Sequence, residues 1–294
     1  MIPDINHIRL DRFPAKKGND VLLSVLRTDL IHPVISGNKW FKLHFYLADA
    51  LKKGYKTVAS FGGAYSNHIV ALAAAAKLSG LKSIGIIRGE GGNSPTLLEA
   101  EQWGMKIRHV SRETYKERAH IIASFPDQEE IYWVDEGGYG ILGAKGASAI
   151  LSVKDCSEFS HILCACGTGT MTAGLIMGAN ENQKIIGISV LKNNTALEES
   201  IAKLLPETLH KRIECIHEYH FGGYAKHPGV LTDYMNDVFL RTGIPTDIVY
   251  TSKLFYAVED LIEKEYFRKG TNVLLIHSGG LQGNRSLSKN TLCF

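Results

Sequence analysis

HILCACGTGTMTAGLIMGAN, residues 161–180, decides the fold. Its first six residues are a short, unbroken apolar run, the pattern of a strand buried on both faces. A glycine-rich turn follows, and TMTAGLIMGAN then reads as a helix. Strand, glycine turn and helix make the repeating unit of a parallel sheet covered by helices. Cys164 and Cys166 sit two apart in the strand, so they point to one face and read as buried strand cysteines.

The same rhythm runs outward in both directions. Upstream, TVASF (57–61), KSIGIIRG (82–89), KIRHV (106–110) and IYWV (131–134) read as strands. Between them SNHIVALAAAAKLSG (66–80), SPTLLEAEQWG (94–104) and SRETYKERAHIIASF (111–125) read as helices, the second with a Ser-Pro start and a Gly stop. GILGAKGASAILSV (140–153) is a helix with an irregular, Gly-rich start. Downstream, KIIGISV (184–190), IECIHEYHF (213–221), DIVY (247–250) and NVLLIHSGG (272–280) are strand-like. ALEESIAKLLPETL (196–209, interrupted at Pro206), GVLTDYMNDVFLRTG (229–243) and KLFYAVEDLIEKEYFRKG (253–270) are helical. Two such blocks predict two α/β units.

Composition narrows the function classes. The chain has 294 residues, 45% hydrophobic and 21% charged, which is typical of a soluble globular protein. A formal net charge of +3 does not imply nucleic acid, and no basic cluster is interleaved with aromatics. No apolar run approaches 18 residues, so no membrane span is expected. MIPDINHIRLDRF at the start lacks the apolar core of a signal peptide. Five cysteines, an odd count without C-x-x-C spacing, argue against a disulfide framework or a zinc ribbon. A cytoplasmic location fits best. His217 and His220 flank a glutamate without forming H-E-x-x-H, and His277 reads as a packed histidine beside a glycine turn.

Ligands of open parallel sheets bind beyond the carboxyl ends of the strands. Four strand ends carry Gly-rich or polar turns: FGGAYSNH (61–68), VDEGGYG (134–140), CGTGTMTAG (166–174) and IHSGGLQG (276–283). In CGTGTMTAG, Gly167, Thr168, Gly169 and Thr170 offer backbone N–H groups and two hydroxyls to a phosphate, or simply make a tight turn. No P-loop lysine follows, and Thr172 occupies the third glycine position of a dinucleotide fingerprint. In FGGAYSNH, Ser66 or Asn67 can cap the next helix, or the amides around Ser66, Asn67 and His68 can hold a carboxylate.

SGNKWFKL (36–43) places Lys39 among Trp40, Phe41 and Leu43. A lysine held in apolar surroundings has its charged form disfavoured and can act as an amine nucleophile. A Schiff-base lysine together with a phosphate-binding glycine turn is what pyridoxal phosphate requires.

At this point the chain resembles the 1-aminocyclopropane-1-carboxylate deaminase and D-cysteine desulfhydrase family of pyridoxal-phosphate enzymes. The resemblance rests on GNKWFKL, FGGAYSNH, DEGGYGILG, CGTGTMTAG, DIVYTSK and IHSGG, in the family's order. It implies the tryptophan-synthase-β-like (type II) fold: two open parallel-sheet α/β domains with the cofactor cleft between them. The expected boundaries are 48–150 for a small inserted domain, and 1–47 plus 151–294 for the large one. Lys39 would be the Schiff-base lysine, with Lys42 near the phosphate. Asn67 would bond the ring oxygen, and Gly167, Thr168, Gly169 and Thr170 would form the phosphate cup. Ser278 would meet the pyridine nitrogen; a hydroxyl there favours elimination over transamination. Ser66, Asn67, His68, Tyr65 and Tyr250 would bind substrate, and Lys39, Ser66 and Tyr250 would be catalytic.

The activity implied is a lyase: D-cysteine desulfhydrase-like α,β-elimination giving a 2-oxo acid, ammonia and sulfide. Ring-opening deamination and racemisation are close alternatives, and a non-catalytic cofactor-binding module is a more distant one. The resemblance also implies a homodimer acting on a small amino acid. Three departures bear on substrate. Phe41 stands where the family has arginine, Tyr65 where it has glutamine, and Thr251 where the deaminases have glutamate directly after the active-site tyrosine. A dinucleotide oxidoreductase is disfavoured, because Val190-Leu191-Lys192 lacks the acidic residue it needs.

Overall fold

Short aliphatic runs bounded by glycine turns fold as strands in the computed structural model, which describes residues 3–16, 20–89, 91–92 and 94–294. Among the described residues the strands are β1 (Leu10–Arg12), β2 (Leu22–Leu26), β3 (Thr57–Gly62), β4 (Lys82–Arg88), β5 (Met105–Val110), β6 (Ile131–Val134), β7 (His161–Cys166), β8 (Lys184–Ser189), β9 (Cys215–Ile216) and β10 (Asn272–Ile276). The helices are α1 (Asn38–Lys52), α2 (Asn67–Leu78), α3 (Pro95–Gln102), α4 (Arg118–Ala123), α5 (Ile141–Ser148), α6 (Thr170–Gly178), α7 (Leu197–Ala202), α8 (Gly229–Thr242) and α9 (Thr251–Glu263).

Two sheets result. The smaller has the order β5-β4-β3-β6 and is parallel throughout. The larger has the order β1-β2-β10-β7-β8-β9, parallel except for the β1–β2 hairpin at its edge. The central strands β3, β7 and β10 are buried on both faces, which is why their sequences do not alternate. All strands of the small sheet come from residues 57–134. Leu43, Tyr46, Leu47 and Ala50 of α1 join its core.

Helices α1, α5 and α6 pack with their backbones almost in contact. A Cβ on Gly146 of α5 would lie 2.0 Å from the Phe41 carbonyl oxygen of α1. One on Gly174 of α6 would lie 2.5 Å from both the Ala144 carbonyl oxygen and Ala147 Cβ of α5. Glycine is therefore required at these crossings for its size.

The structure departs from the sequence reading in four places. Helix α1 and the β1–β2 hairpin precede Thr57, where no element is expected. DIVY is a turn, not a strand, because the Asp247 carboxylate accepts from the amides of Val249 (2.9 Å), Tyr250 (3.1 Å) and Thr251 (2.8 Å). A side chain that bonds the backbone two to four residues on competes successfully with a ladder. Of IECIHEYHF only Cys215–Ile216 pairs, and the chain leaves the sheet edge before Phe221, whose φ is 51°. The stretch 111–125 yields only a short turn of helix and α4, since Glu117 breaks it at φ −93°, ψ 56°. Cys164 and Cys166 are buried on β7, as expected, and both sulfurs contact Thr172 Oγ1.

Gly146→Ala is expected to lower unfolding free energy by about 2–4 kcal/mol, because backbone must move to admit the methyl. Gly229→Ala, at a position with no atom within 4 Å of the new Cβ, should change it by under about 0.5 kcal/mol. Urea denaturation of the two variants checks the contrast.

Candidate active site

Four chain segments converge at the carboxyl ends of β3, β7 and β10. The first is the start of α1. Gly37 sits at φ 57°, ψ −136°, and a Cβ there would fall 1.9 Å from the Ser278 carbonyl oxygen. The Asn38 amide donates to that oxygen at 3.1 Å. This contact lays the first turn of α1 across the end of β10. Lys39 and Lys42, three apart, then face one cavity.

Both amines are desolvated. Burial lowers Lys39 to about 8, with the charge of Asp247 opposing. Burial also drives Lys42 well below the ordinary lysine value, and the nearby Lys39 adds to this. Lys39 Nζ donates to Asn38 Oδ1 at 3.2 Å, and Lys42 Nζ to the Gly137 carbonyl at 3.3 Å. No ion pair of either lysine with a carboxylate occurs among the described residues.

The second segment is the turn from β7 into α6. Gly167, Thr168, Gly169 and Thr170 line the same cavity as the two lysines, at the positive end of a nine-residue helix. Thr168 Oγ1 and Thr170 Oγ1 are 2.9 Å apart. Ser278, on the turn after β10, is buried and lines the cavity too.

The third segment is the turn from β3 into α2. Ser66 is its N-cap, with Oγ accepting from the Ile69 amide at 3.3 Å. Among the described residues the amides of Asn67 and His68 have no acceptor, so the helix start offers two free donors. Asn67 Nδ2 donates to the Gly280 carbonyl at 2.7 Å and keeps a second N–H, while its Oδ1 is buried without a partner. The His68 ring turns inward to Ser60 Oγ (2.8 Å). Burial first, then Lys39 and Lys42, hold His68 well below the usual histidine value, so it is neutral. Tyr65 stands at the outer rim, 38% exposed.

The fourth segment is the Asp247 turn, which delivers Tyr250. A Cβ on Gly167 would lie 3.2 Å from Tyr250 Cε1, so the ring stands directly over the glycine turn. Burial, with the neighbouring Tyr224 and Asp247, raises Tyr250 well above the usual tyrosine value, and it stays a proton donor. Thr251 is fully buried, its hydroxyl bonded to Asp247 Oδ1 at 2.7 Å. One turn along α9, the buried Lys253 donates to the carbonyls of His220 (2.9 Å), Gly223 (2.7 Å) and Val190 (3.3 Å). It thereby pins the segment that carries Tyr224.

Lys39, Asn67 and Tyr250 are shared with an outer cavity of about 390 Å³ that also meets Tyr65, Arg88, Glu136 and Tyr224. Glu136 forms an ion pair with Arg118. His277 is buried and packed, its Nε2 2.8 Å from the Pro245 carbonyl oxygen. His217 pairs with Glu198 at 2.7 Å.

Lys39, Lys42, Tyr65, Ser66, Asn67, His68, Gly167, Thr168, Gly169, Thr170, Tyr250 and Ser278 thus line these two adjoining cavities, whereas His217, His220 and His277 line neither. Asp247, Lys253, Tyr224 and Arg88 were not among the residues singled out in the sequence. Arg88 ends a strand, the same position that identified the glycine turns, and was legible on that rule.

Residues 5–279 match the family described as pyridoxal-phosphate dependent enzyme. A Pyrococcus horikoshii protein named "Putative 1-aminocyclopropane-1-carboxylate deaminase" is 32% identical, over 90% of this chain and 86% of that one. The mitochondrial bifunctional D-cysteine desulfhydrase/1-aminocyclopropane-1-carboxylate deaminase of Arabidopsis thaliana is 28% identical, over 90% of this chain and 74% of that one. A crystal structure of an ACC deaminase homologue superposes with a TM-score of 0.82 at 28% identity, covering 96% of this chain and 93% of its own.

With Lys39 near 8, its reaction with an added aldehyde should speed up about fivefold from pH 7 to 8 and less than about twofold from pH 8 to 9. An ordinary lysine gains about tenfold over each step. Borohydride trapping with peptide mass analysis distinguishes the two profiles.

Proposed function

This chain belongs to the pyridoxal-phosphate dependent enzymes, in the 1-aminocyclopropane-1-carboxylate deaminase and D-cysteine desulfhydrase family, and from that premise we propose that it is an α,β-eliminating lyase. Its substrate is a small amino acid of the D-cysteine type, and its products are a 2-oxo acid, ammonia and sulfide. The residues present fit the cofactor. A desolvated amine at Lys39, the Gly167–Thr170 turn at the start of α6, the second N–H of Asn67 and the hydroxyl of Ser278 all line one cavity. When bound, pyridoxal 5′-phosphate offers an aldehyde to amines and a conjugated ring that accepts the electron pair left at the α-carbon.

The chain's own residues then divide the work. Lys39 Nζ, neutral in a large fraction near pH 8, takes the α-proton. The free amides of Asn67 and His68 hold the substrate carboxylate, with Ser66 Oγ beside them. Tyr250, kept protonated by burial, has an O–H to donate towards the departing sulfur.

The observation that carries elimination over ring opening is Thr251. The position after Tyr250 holds a buried hydroxyl locked onto Asp247, so it supplies no carboxylate for acid–base work on a cyclopropane ring. Glu136, an acid of the outer cavity, is engaged by Arg118. Ring-opening deamination stays the second reading, favoured by the names of the relatives.

Cofactor-loaded protein is expected to release pyruvate from D-cysteine, and Lys39→Ala to lower that rate by roughly 10²–10⁴-fold. Under the same assay 2-oxobutyrate from 1-aminocyclopropane-1-carboxylate should form at least about 100-fold more slowly, since the general acid is missing. A faster 2-oxobutyrate rate would establish the second reading instead.

A further inference from the structure

We propose that Arg88 recognises a second anionic group on the substrate, so that the preferred amino acids carry a carboxylate or similar anion at the end of the side chain. This rests on the reading of the cleft as an amino-acid site. Under that reading two anions already have places: phosphate at the Gly167–Thr170 turn, and the α-carboxylate at the amides of Asn67 and His68. Arg88 is a third positive position, in the outer cavity that begins at Lys39. A side chain leaving the α-carbon has that cavity to enter.

The guanidinium is exposed and leans on two neighbours. Arg88 ends β4, whose preceding residue Ile87 pairs with Gly62 at the end of β3. Its Nη2 is 3.9 Å from where a Cβ on Gly63 would stand, at the turn into α2. Its planar group lies over the Tyr115 ring, 5.5 Å from the centroid. Its charge reaches Tyr224, which lines the same cavity. An arginine stacked on a ring keeps its edge N–H groups for a planar anion.

Among the described residues no carboxylate pairs with Arg88, while Glu136 of the same cavity already pairs with Arg118. D-cysteine places no anion at Arg88, whereas a longer side chain of the same type that ends in an anion would meet it in the outer cavity.

The test uses S-carboxymethyl-D-cysteine and its near-isosteric neutral analogue S-carboxamidomethyl-D-cysteine. In both the Cα–H and Cβ–S bonds break, the thiolate departs and takes up a proton, and water converts the remainder to pyruvate and ammonia. The cofactor-loaded enzyme should favour the carboxymethyl compound by about tenfold in kcat/KM at low salt, the scale of a charge-assisted pair at a partly open site. Arg88→Gln should bring the ratio near one, and Arg88→Lys should keep part of it. Binding is read separately, from the change that each compound makes in the visible absorbance of the loaded protein. If neither compound is cleaved, the elimination reading fails, and the ratio of binding constants still decides on Arg88. A wild-type ratio near one in both measurements overturns the proposal. So does an equal loss for both compounds in Arg88→Gln, which would assign Arg88 to the α-carboxylate.

Discussion

The backbone of Gly37 pressed against the carbonyl of Ser278 is the contact on which the site depends. It requires a residue without Cβ and a conformation that side chains rarely adopt. Its surroundings are built to hold it. The Gly37 amide donates to the Thr28 carbonyl (3.1 Å), and Thr28 Oγ1 donates to the His277 carbonyl (2.6 Å). Behind them Arg27 is nearly fully buried, paired through two nitrogens with Asp29 and through a third with Asp11. Burial alone would raise Asp29, yet His277 and Arg27 outweigh it and keep the carboxyl below its usual range. Removing one partner from such a buried pair costs about 3–5 kcal/mol. The start of α1 is therefore fixed by a charged network that never meets the cleft.

What that rigidity secures is an electrostatic arrangement unfavourable on its own. Lys39 and Lys42 are brought together in a desolvated pocket, with Asp247 as the nearby opposing charge for Lys39. Asp247 is itself committed to three amides and a hydroxyl. Two amines so placed are poor ammonium ions, and a neutral amine keeps the lone pair a nucleophile needs. Groups whose charge is disfavoured in this way cluster where chemistry is done. Lys253 shows the other use of a buried lysine. Three backbone carbonyls satisfy it, and it organises one wall of the cleft rather than reacting there.

By itself the sequence determined the alternation of buried strands and helices, and with it the parallel sheets and their ligand-bearing ends. Mostly apolar runs such as TVASF and HILCAC carry that information locally, because burial on both faces removes the alternation of polar and apolar residues. The glycine turns and Lys39 were legible for a related reason: a glycine after a strand and a lysine among large apolar residues are both out of place in a merely structural reading. DIVY was misread because its four residues suit a strand. Only the carboxylate of Asp247, reaching forward to three amides, turns them into a helix start.

Tertiary structure alone decided which groups are charged, which are free and which face one another. Glu136 and Arg88 look equivalent in the sequence as charged residues at or just beyond strand ends. In the fold one is paired with Arg118 and the other stands over Tyr115 with no acid among the described residues. His68 is a plausible cation until its ring turns towards Ser60 beside two lysines. These outcomes depend on burial and on distances between residues that are not sequence neighbours. Desolvation and Coulomb energies vary with those distances, and no local pattern of residue types encodes them.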